Sequence, residues 1–160
     1  MQPIPNDAIE GFTREAVRDV FKKMLAPEVQ EYEPTPLSSD AAGQIVGSVG
    51  FIGQATGIIF LYAGAGLGRV VTCKMLGLTE AEVDDEMIND AFGELCNMVV
   101  GSVKSHLCDR GWPCVLTIPS IMRGNGLIIE TVADVKRTVL GFRTGAQRLN
   151  VEVTVKNPQP

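Results

Sequence analysis

The chain has 160 residues, 45% of them apolar, which is enough to bury a sizeable core in one domain spanning residues 1–160. Its formal charge of −5, with no basic patch or stripe, argues against nucleic acid as a partner. No apolar run is long enough to cross a membrane, and the first residues lack the basic and apolar regions of a signal peptide.

The first half of the chain predicts a helix, a loop and two strands. The helix starts near Asn6 and runs to about Leu25, and the polar, proline-bearing stretch Glu28 to Asp40 is predicted to be a loop. Gln44 to Gly53 and Thr56 to Ala63 follow as strands joined by a turn. Both faces of the first strand are apolar or small, which indicates a sheet that is covered on both sides or paired with another chain.

The second half predicts two helical segments and then more strands. Gly66 to Leu76 is a short helix, and Thr79 with Glu82 forms a capping-box pattern at the start of the next. That segment runs from about Glu80 to Leu107, with a break near Asp84. Four further strands are predicted at Val115 to Ile118, Leu127 to Val132, Thr138 to Arg143 and Arg148 to Lys156. This order predicts an α+β fold, a mostly antiparallel β-sheet packed with helices.

The four cysteines and the single histidine give no metal pattern. Cys73, Cys96, Cys108 and Cys114 contain no C-x-x-C pair, and His106 alone would leave a zinc site dependent on cysteine spacings that are absent. Cys73 and Cys96 lie in predicted helices, where free cysteine behaves as a small buried hydrophobe. Free thiols are typical of a reducing compartment, so we predict a cytoplasmic protein with no metal site.

The predicted helix from Asp85 to His106 has one apolar side and one polar side at 100° per residue. Gly101 lies on the polar side in the middle of the helix, where glycine costs roughly 1 kcal/mol relative to alanine. Close approach of another surface to the helix backbone is one reason to accept that cost. The apolar side comprises Ile88, Ala91, Phe92, Leu95, Met98, Val99 and Val103, and the polar side comprises Glu86, Asp90, Glu94, Asn97, Gly101 and Lys104.

Glu94 and Asn97 are the best indication of function. Their spacing of three residues places a carboxylate and a carboxamide side by side on adjacent turns. The carboxylate suits holding a partner and the amide suits orienting a water molecule. The spacing alone is a weak signal, because it should occur roughly once in every few chains of this length. A second copy, Glu86 and Asn89, lies in the same helix with Asn89 near the apolar edge, and we interpret it as a coincidence. An ordinary solvated helix surface is the simpler interpretation of the spacing.

The segment from Ala91 to Lys104 resembles the signature helix of CheX-type proteins, members of the CheC/CheX/FliY phosphatases of bacterial chemotaxis. Glycine precedes the glutamate, leucine follows it, an Asn-Met pair comes next, and a small residue and a lysine complete the match. The later stretch Ile118-Pro119-Ser120 and Gly124 also fit. Together these features favour a functional interpretation of the polar face over a merely solvated one.

The resemblance implies removal of phosphate from the aspartyl phosphate of a CheY-like receiver domain. Glu94 would engage a lysine of the receiver's active site, and Asn97 would orient the attacking water. Asp90, Gly101 and Lys104, on the same side, are expected to contact the partner. The phosphatase supplies no cofactor, and the receiver brings its own Mg²⁺. A neutral amide can hold a water molecule without adding negative charge beside a phosphoryl group.

The resemblance also implies an assembly. The first predicted helix carries no second copy of the motif, which favours the single-site, CheX-like branch, and that branch resembles a homodimer with sheet edges joined across the subunits. Two alternatives stay open at this level. Beside the phosphatase, the first is a non-catalytic module that binds a receiver domain or a chemotaxis partner, and the second is a structural homodimer whose polar helix face has no role.

Overall fold

A computed structural model describes residues 2–24, 28–35, 43–131 and 134–156 of the chain. These residues form three α-helices and a seven-stranded sheet whose pairings are all antiparallel, which confirms the predicted α+β fold. The helices are α1 (Asn6–Met24), α2 (Ala65–Leu76) and α3 (Asp85–Asp109), with a 3₁₀ turn at Glu80–Glu82. The strands are β1 (Gln30–Tyr32), β2 (Gln44–Gly53), β3 (Gly57–Gly64), β4 (Cys114–Leu116), β5 (Ser120–Gly124), β6 (Val135–Thr144) and β7 (Gln147–Lys156).

The strand order is β1-β6-β7-β3-β2-β4, and β5 also pairs with β2. β2 is therefore interior: β3 pairs along one side, while β4 and β5 share the other, with Gly53 opposite Cys114 and Gln44 opposite Gly124. The edges of the sheet in the described part of the chain are β1 and the β4–β5 pair. The apolar character of the predicted strand pair thus does not mark a free edge of β2 or β3, because both strands are paired within the chain.

The core lies between the three helices and one face of the sheet, which we call the inner face. Alternating residues of β2 and β3 point into it, including Ile45, Ile59 and Leu61, all fully buried. Gly47 lies where α3 crosses β2, and a Cβ at this position would overlap the Cys96 sulfur. Burial raises the pKa of the Cys96 thiol, consistent with its predicted role as a small buried hydrophobe.

The start of α3 follows the capping pattern in the sequence. Glu82 accepts a hydrogen bond from the backbone N–H of Thr79 at 2.8 Å and closes the capping box around the 3₁₀ turn. The chain then extends through Val83, and the Asp84 carboxylate accepts a hydrogen bond from the backbone N–H of Met87 at 2.8 Å. The predicted break near Asp84 is confirmed, and α3 begins as a separate helix after it.

The predicted loop from Glu28 to Asp40 contains a strand, which the local sequence did not reveal. β1 pairs with β6, and Glu31 forms a two-point ion pair with Arg14 of α1, with distances of 2.6 and 3.0 Å. The hydrogen bonds to Arg14 lower the pKa of Glu31. This short polar strand forms because of partners that are distant in sequence, so its own residue pattern carries no strand signal.

The predicted strand from Leu127 to Val132 is wrong for residues 127–131, which carry no strand, and the preceding segment forms β5 instead. A left-handed Gly126 turns the chain, and the Leu127 N–H donates to the Gln44 side chain rather than to a strand. Val132 lies outside the described residues, as do Leu25 and the part of the predicted loop from residue 36 onward. Within the described residues, no helix is both long and apolar enough to cross a membrane.

The face of the sheet that points away from the helices, which we call the outer face, carries an ion pair between a buried carboxylate and an exposed arginine. Arg137 binds both oxygens of Glu152, at 2.9 and 3.0 Å, and leaves that carboxylate only 4% exposed. Burial, and then the nearby Glu152 charge, raises the pKa of Tyr62 to about 12. The same face exposes Ile52, Ile58 and their apolar neighbours, so it combines a paired polar site with uncovered apolar surface.

Candidate functional site

Helix α3 presents its polar side to solvent as the sequence predicted. Asp90 and Glu94 are exposed, and Asn97, Gly101 and Lys104 are half-buried. On the opposite side six of the seven predicted apolar residues are buried and Met98 is half-buried and packed against the core. The predicted catalytic and partner-binding residues therefore share one accessible strip along α3, which we call the α3 strip: Asp90, Glu94, Asn97, Gly101 and Lys104.

The two motif side chains have no intramolecular partners in the part of the chain that the structure describes. Neither the Glu94 carboxylate nor the Asn97 amide forms a side-chain hydrogen bond or an ion pair there. By contrast, the Asp85 carboxylate near the start of the same helix is held by Arg123 at 3.1 Å. The acceptors of Glu94, and both the donors and acceptor of Asn97, are thus free for another molecule.

The second copy of the motif occupies a different environment. Glu86 is exposed, but Asn89 is half-buried and its Oδ1 is buried without a hydrogen-bond partner among the described residues. This position agrees with the predicted place of Asn89 at the apolar edge. An amide enclosed in this way cannot reach into another protein, so the interpretation of this copy as a coincidence is consistent with the structure.

Strands β4 and β5 lie along the α3 strip. The sequence did not predict this arrangement. If Gly93 carried a Cβ atom, that atom would lie 3.9 Å from the side chain of Ile121 in β5. Farther along α3, Cys108 and Lys104 lie near Cys114 of β4: burial raises the pKa of Cys114, Cys108 raises it further, and Lys104 opposes the rise. The only sequence signal for this border was the Ile118-Pro119-Ser120 match.

Gly101 has open space beside it. A Cβ at this position would meet no atom within 4 Å, apart from the neighbours along its own helix. Nothing in the described chain therefore requires glycine here for packing, and its backbone is in the ordinary helical conformation. That Gly101 admits another surface stays a prediction. The structure leaves enough space beside this residue for such an approach.

The described residues contain no group of three or more histidine, cysteine, aspartate or glutamate side chains that could hold a metal ion. His106 lies in the last turn of α3, as predicted, stacked on Phe12 with ring centroids 5.3 Å apart and 3.5 Å from the Glu15 carboxylate. It is packed into the α1–α3 contact. The α3 strip offers two carboxylates, an amide and a cation on one helix, a set suited to docking and to holding water.

The comparisons with known proteins agree with this fold. The family model described as chemotaxis phosphatase CheX matches residues 45–143, more than half of the chain. These residues include all of α3, β4 and β5, and therefore the whole α3 strip and its border. A search of curated proteins finds no match.

Solved structures of chemotaxis proteins share the fold across nearly the whole chain. The chemotaxis protein CheX from Vibrio vulnificus is 23% identical with a TM-score of 0.79, covering 92% of this chain and 96% of that one. A CheC-like superfamily protein from Shewanella sp. PV-4 is 24% identical with a TM-score of 0.81, covering 96% and 100%. The CheX–CheY–BeF₃–Mg²⁺ complex from Borrelia burgdorferi matches at 20% identity and a TM-score of 0.76, covering 93% and 98%.

We predict that Gly101→Ala raises the free energy of unfolding by about 0.5–1 kcal/mol. Alanine is the better helix former, and the added methyl group meets open space. Urea denaturation followed by circular dichroism measures the change, with Gly47→Ala as the contrasting variant, since its methyl group would overlap Cys96. A lower free energy of unfolding for Gly101→Ala would contradict the open space that the structure shows beside this residue.

Proposed function

Since the chain belongs to the CheX family of chemotaxis phosphatases, we propose that it hydrolyses the aspartyl phosphate of a CheY-type receiver domain. The observation that carries the proposal is the pair Glu94 and Asn97, side by side on a rigid helix with no partner among the described residues. The Borrelia burgdorferi relative, whose solved complex contains CheY, BeF₃ and Mg²⁺, supports a receiver domain as the partner.

In the proposed reaction Glu94 docks on a lysine of the receiver, and this contact brings the Asn97 amide next to the phosphoryl group. Asn97 then holds a water molecule in line with the bond between phosphorus and the aspartyl oxygen. The water oxygen attacks phosphorus, the bond to the aspartate breaks, and the products are inorganic phosphate and the free carboxylate. An acyl phosphate is already activated, so positioning and charge stabilisation dominate the barrier.

The receiver supplies the Mg²⁺ that offsets the negative charge of the phosphoryl oxygens. The α3 strip offers no cluster of metal ligands, and its contribution is a carboxylate directed at a cation and a neutral amide directed at water. A second carboxylate in place of the amide would repel the phosphoryl group. Asp90, Gly101 and Lys104 lie along the same strip and are proposed to contact the receiver around these two residues.

We predict that Asn97→Ala lowers kcat by about 10²–10³-fold without unfolding the protein, the typical effect of losing one positioning group. Phosphate release from a CheY-type receiver phosphorylated with acetyl phosphate measures the effect. Asn89→Ala is the matched control, because it removes the same amide from the second copy of the motif and should leave turnover unchanged.

Near-normal turnover by Asn97→Ala would contradict the assignment of this residue. A wild-type protein that binds the phosphorylated receiver without accelerating phosphate release would favour the alternative of a non-catalytic receiver-binding module.

We predict that Glu94→Gln weakens receiver binding and reduces the dependence of the affinity on salt. An exposed charge pair is screened by ions, so its removal flattens the salt profile. Titration of the phosphorylated receiver between low and physiological salt measures both quantities. Glu86→Gln removes the same charge elsewhere on α3 and should preserve the wild-type profile, whereas an unchanged profile in Glu94→Gln would refute the docking role.

We also propose a homodimer that forms through the strands and leaves the α3 strip open. The support is the uncovered apolar surface of the outer face, where Ile52 is 56% exposed and its neighbour in register, Val115, is 64% exposed. The helices cover the inner face, so a second copy on the outer face would not cover Asn97. Each dimer would then carry two independent sites.

Light scattering over a dilution series tests this assembly. We predict a dimer for the wild-type chain and a shift to monomer for Ile52→Lys, because a buried unpaired charge would oppose association. Ile128→Lys, an equally polar change at an exposed residue outside the sheet, should remain dimeric. A monomer at every concentration of the wild-type chain would refute the proposal.

A further inference from the structure

We infer that Ile118 forms an apolar contact with the receiver domain beside Asn97 and controls the affinity for the phosphorylated substrate. The inference rests on the proposed function and adds a residue outside α3 to the docking surface. Ile118 lies in the short connection between β4 and β5, the two strands that border the α3 strip.

The position of the connection follows from contacts at its two ends. Ile121, after the connection, lies beside α3 at Gly93, and Cys114, before it, lies near Lys104 and Cys108. The connection therefore runs alongside the part of α3 between Gly93 and Lys104. Glu94, Asn97 and Gly101 all belong to that part of the helix.

The alternation along β4 brings the chain to Ile118 along the helix side of the sheet edge, because its inward residues pack beneath α3. Cys114 and Leu116 pack against the core, while Val115 is exposed and opposite Ile52 on the outer face. Thr117 continues the alternation, because its hydroxyl accepts a hydrogen bond from the N–H of Gly50 at 2.8 Å. Ile118 is the next residue, in the connection between the end of β4 and the start of β5.

The connection holds Ile118 in place, yet little of the chain covers it. Thr117 is tied to Gly50 in both directions, since its own N–H also donates to the Gly50 carbonyl at 2.9 Å, and Pro119 restricts the backbone that follows. Ile118 itself is 87% exposed, more than the other large apolar residues that the structure exposes. A rigidly held apolar side chain loses little conformational freedom on binding, which favours its use as a contact residue.

The receiver is the occupant that the surrounding charges favour. Asp90 and Glu94 give this part of the strip a negative character, which complements the receiver lysine proposed for Glu94. An apolar neighbour at the rim of such a contact excludes water and strengthens the charge pair inside it. Ile118 would therefore contribute to ground-state and transition-state binding alike, unlike Asn97, whose contribution appears mainly in the chemical step.

The test compares Ile118→Ser with Ile128→Ser in steady-state dephosphorylation of a CheY-type receiver that acetyl phosphate has phosphorylated. Ile128 is 83% exposed, almost as much as Ile118, but it follows β5 at the end of the sheet near Gln44, away from the connection. We expect Ile118→Ser to raise KM about tenfold with kcat within twofold of wild type, the size of effect that loss of one buried aliphatic side chain produces. Ile118→Val should recover most of the affinity, and Ile128→Ser should match the wild-type protein.

An unchanged KM in Ile118→Ser, or an equal rise in Ile128→Ser, would overturn this inference while the proposed phosphatase activity stands. A fall in kcat without a change in KM would also overturn it. If the wild-type chain neither binds nor dephosphorylates the receiver, the proposed function fails and this inference fails with it. Unfolding midpoints of the three variants identify any loss of folded protein.

Discussion

The close packing of α3 against β2 is the contact on which the rest of the arrangement depends. Gly47 has no side chain, so the Cys96 sulfur and the Phe92 ring reach the backbone of β2. That contact fixes the rotation of the helix about its own axis. Glu94 lies two residues from both Cys96 and Phe92, about 200° around the helix, whereas Asn97 is five residues from Phe92 and Gly101 five from Cys96, about 140° around. The same rotation therefore directs all three away from the sheet.

A surface of this kind suits an enzyme whose substrate is another folded protein with its own active site. The receiver already contains the activated phosphoryl group and, in the proposed mechanism, its Mg²⁺ and its lysine. The phosphatase then needs only a few groups that enter that site from outside, and a helix provides them with little freedom to move. The absence of intramolecular partners for Glu94 and Asn97 in the described chain is what leaves these groups available.

The proposed docking surface includes β4, β5 and the connection between them as well as α3. Pairing with β2 places both strands beside α3, and the connection between them carries an exposed isoleucine along the α3 strip. In the proposed complex the charges on the helix would orient the receiver, and the apolar area on the connection would exclude water from the contact. The outer face is a separate surface, with the Arg137–Glu152 ion pair and exposed apolar residues of its own.

The sequence by itself determined the elements whose signals are local. The period of the apolar residues identified α3 and both of its sides, the capping pattern at Thr79 and Glu82 and the break near Asp84 were correct, and the resemblance of the α3 segment identified the family. The α+β class and the strands β2, β3, β6 and β7 followed from alternation within a few residues of the ends observed.

Only the tertiary structure decided the features that depend on distant partners. β1 is a strand because of β6 and Arg14, β5 because of β2, and residues 127–131 are not a strand because Gln44 takes the hydrogen bond of Leu127. The same applies to the site: the sequence named Glu94 and Asn97, but the inferred role of Ile118 rests on two strand pairings and a helix crossing. Local patterns record the preference of a segment for its own conformation, whereas pairing and crossing depend on the free energy of contacts that form only when the whole chain is folded.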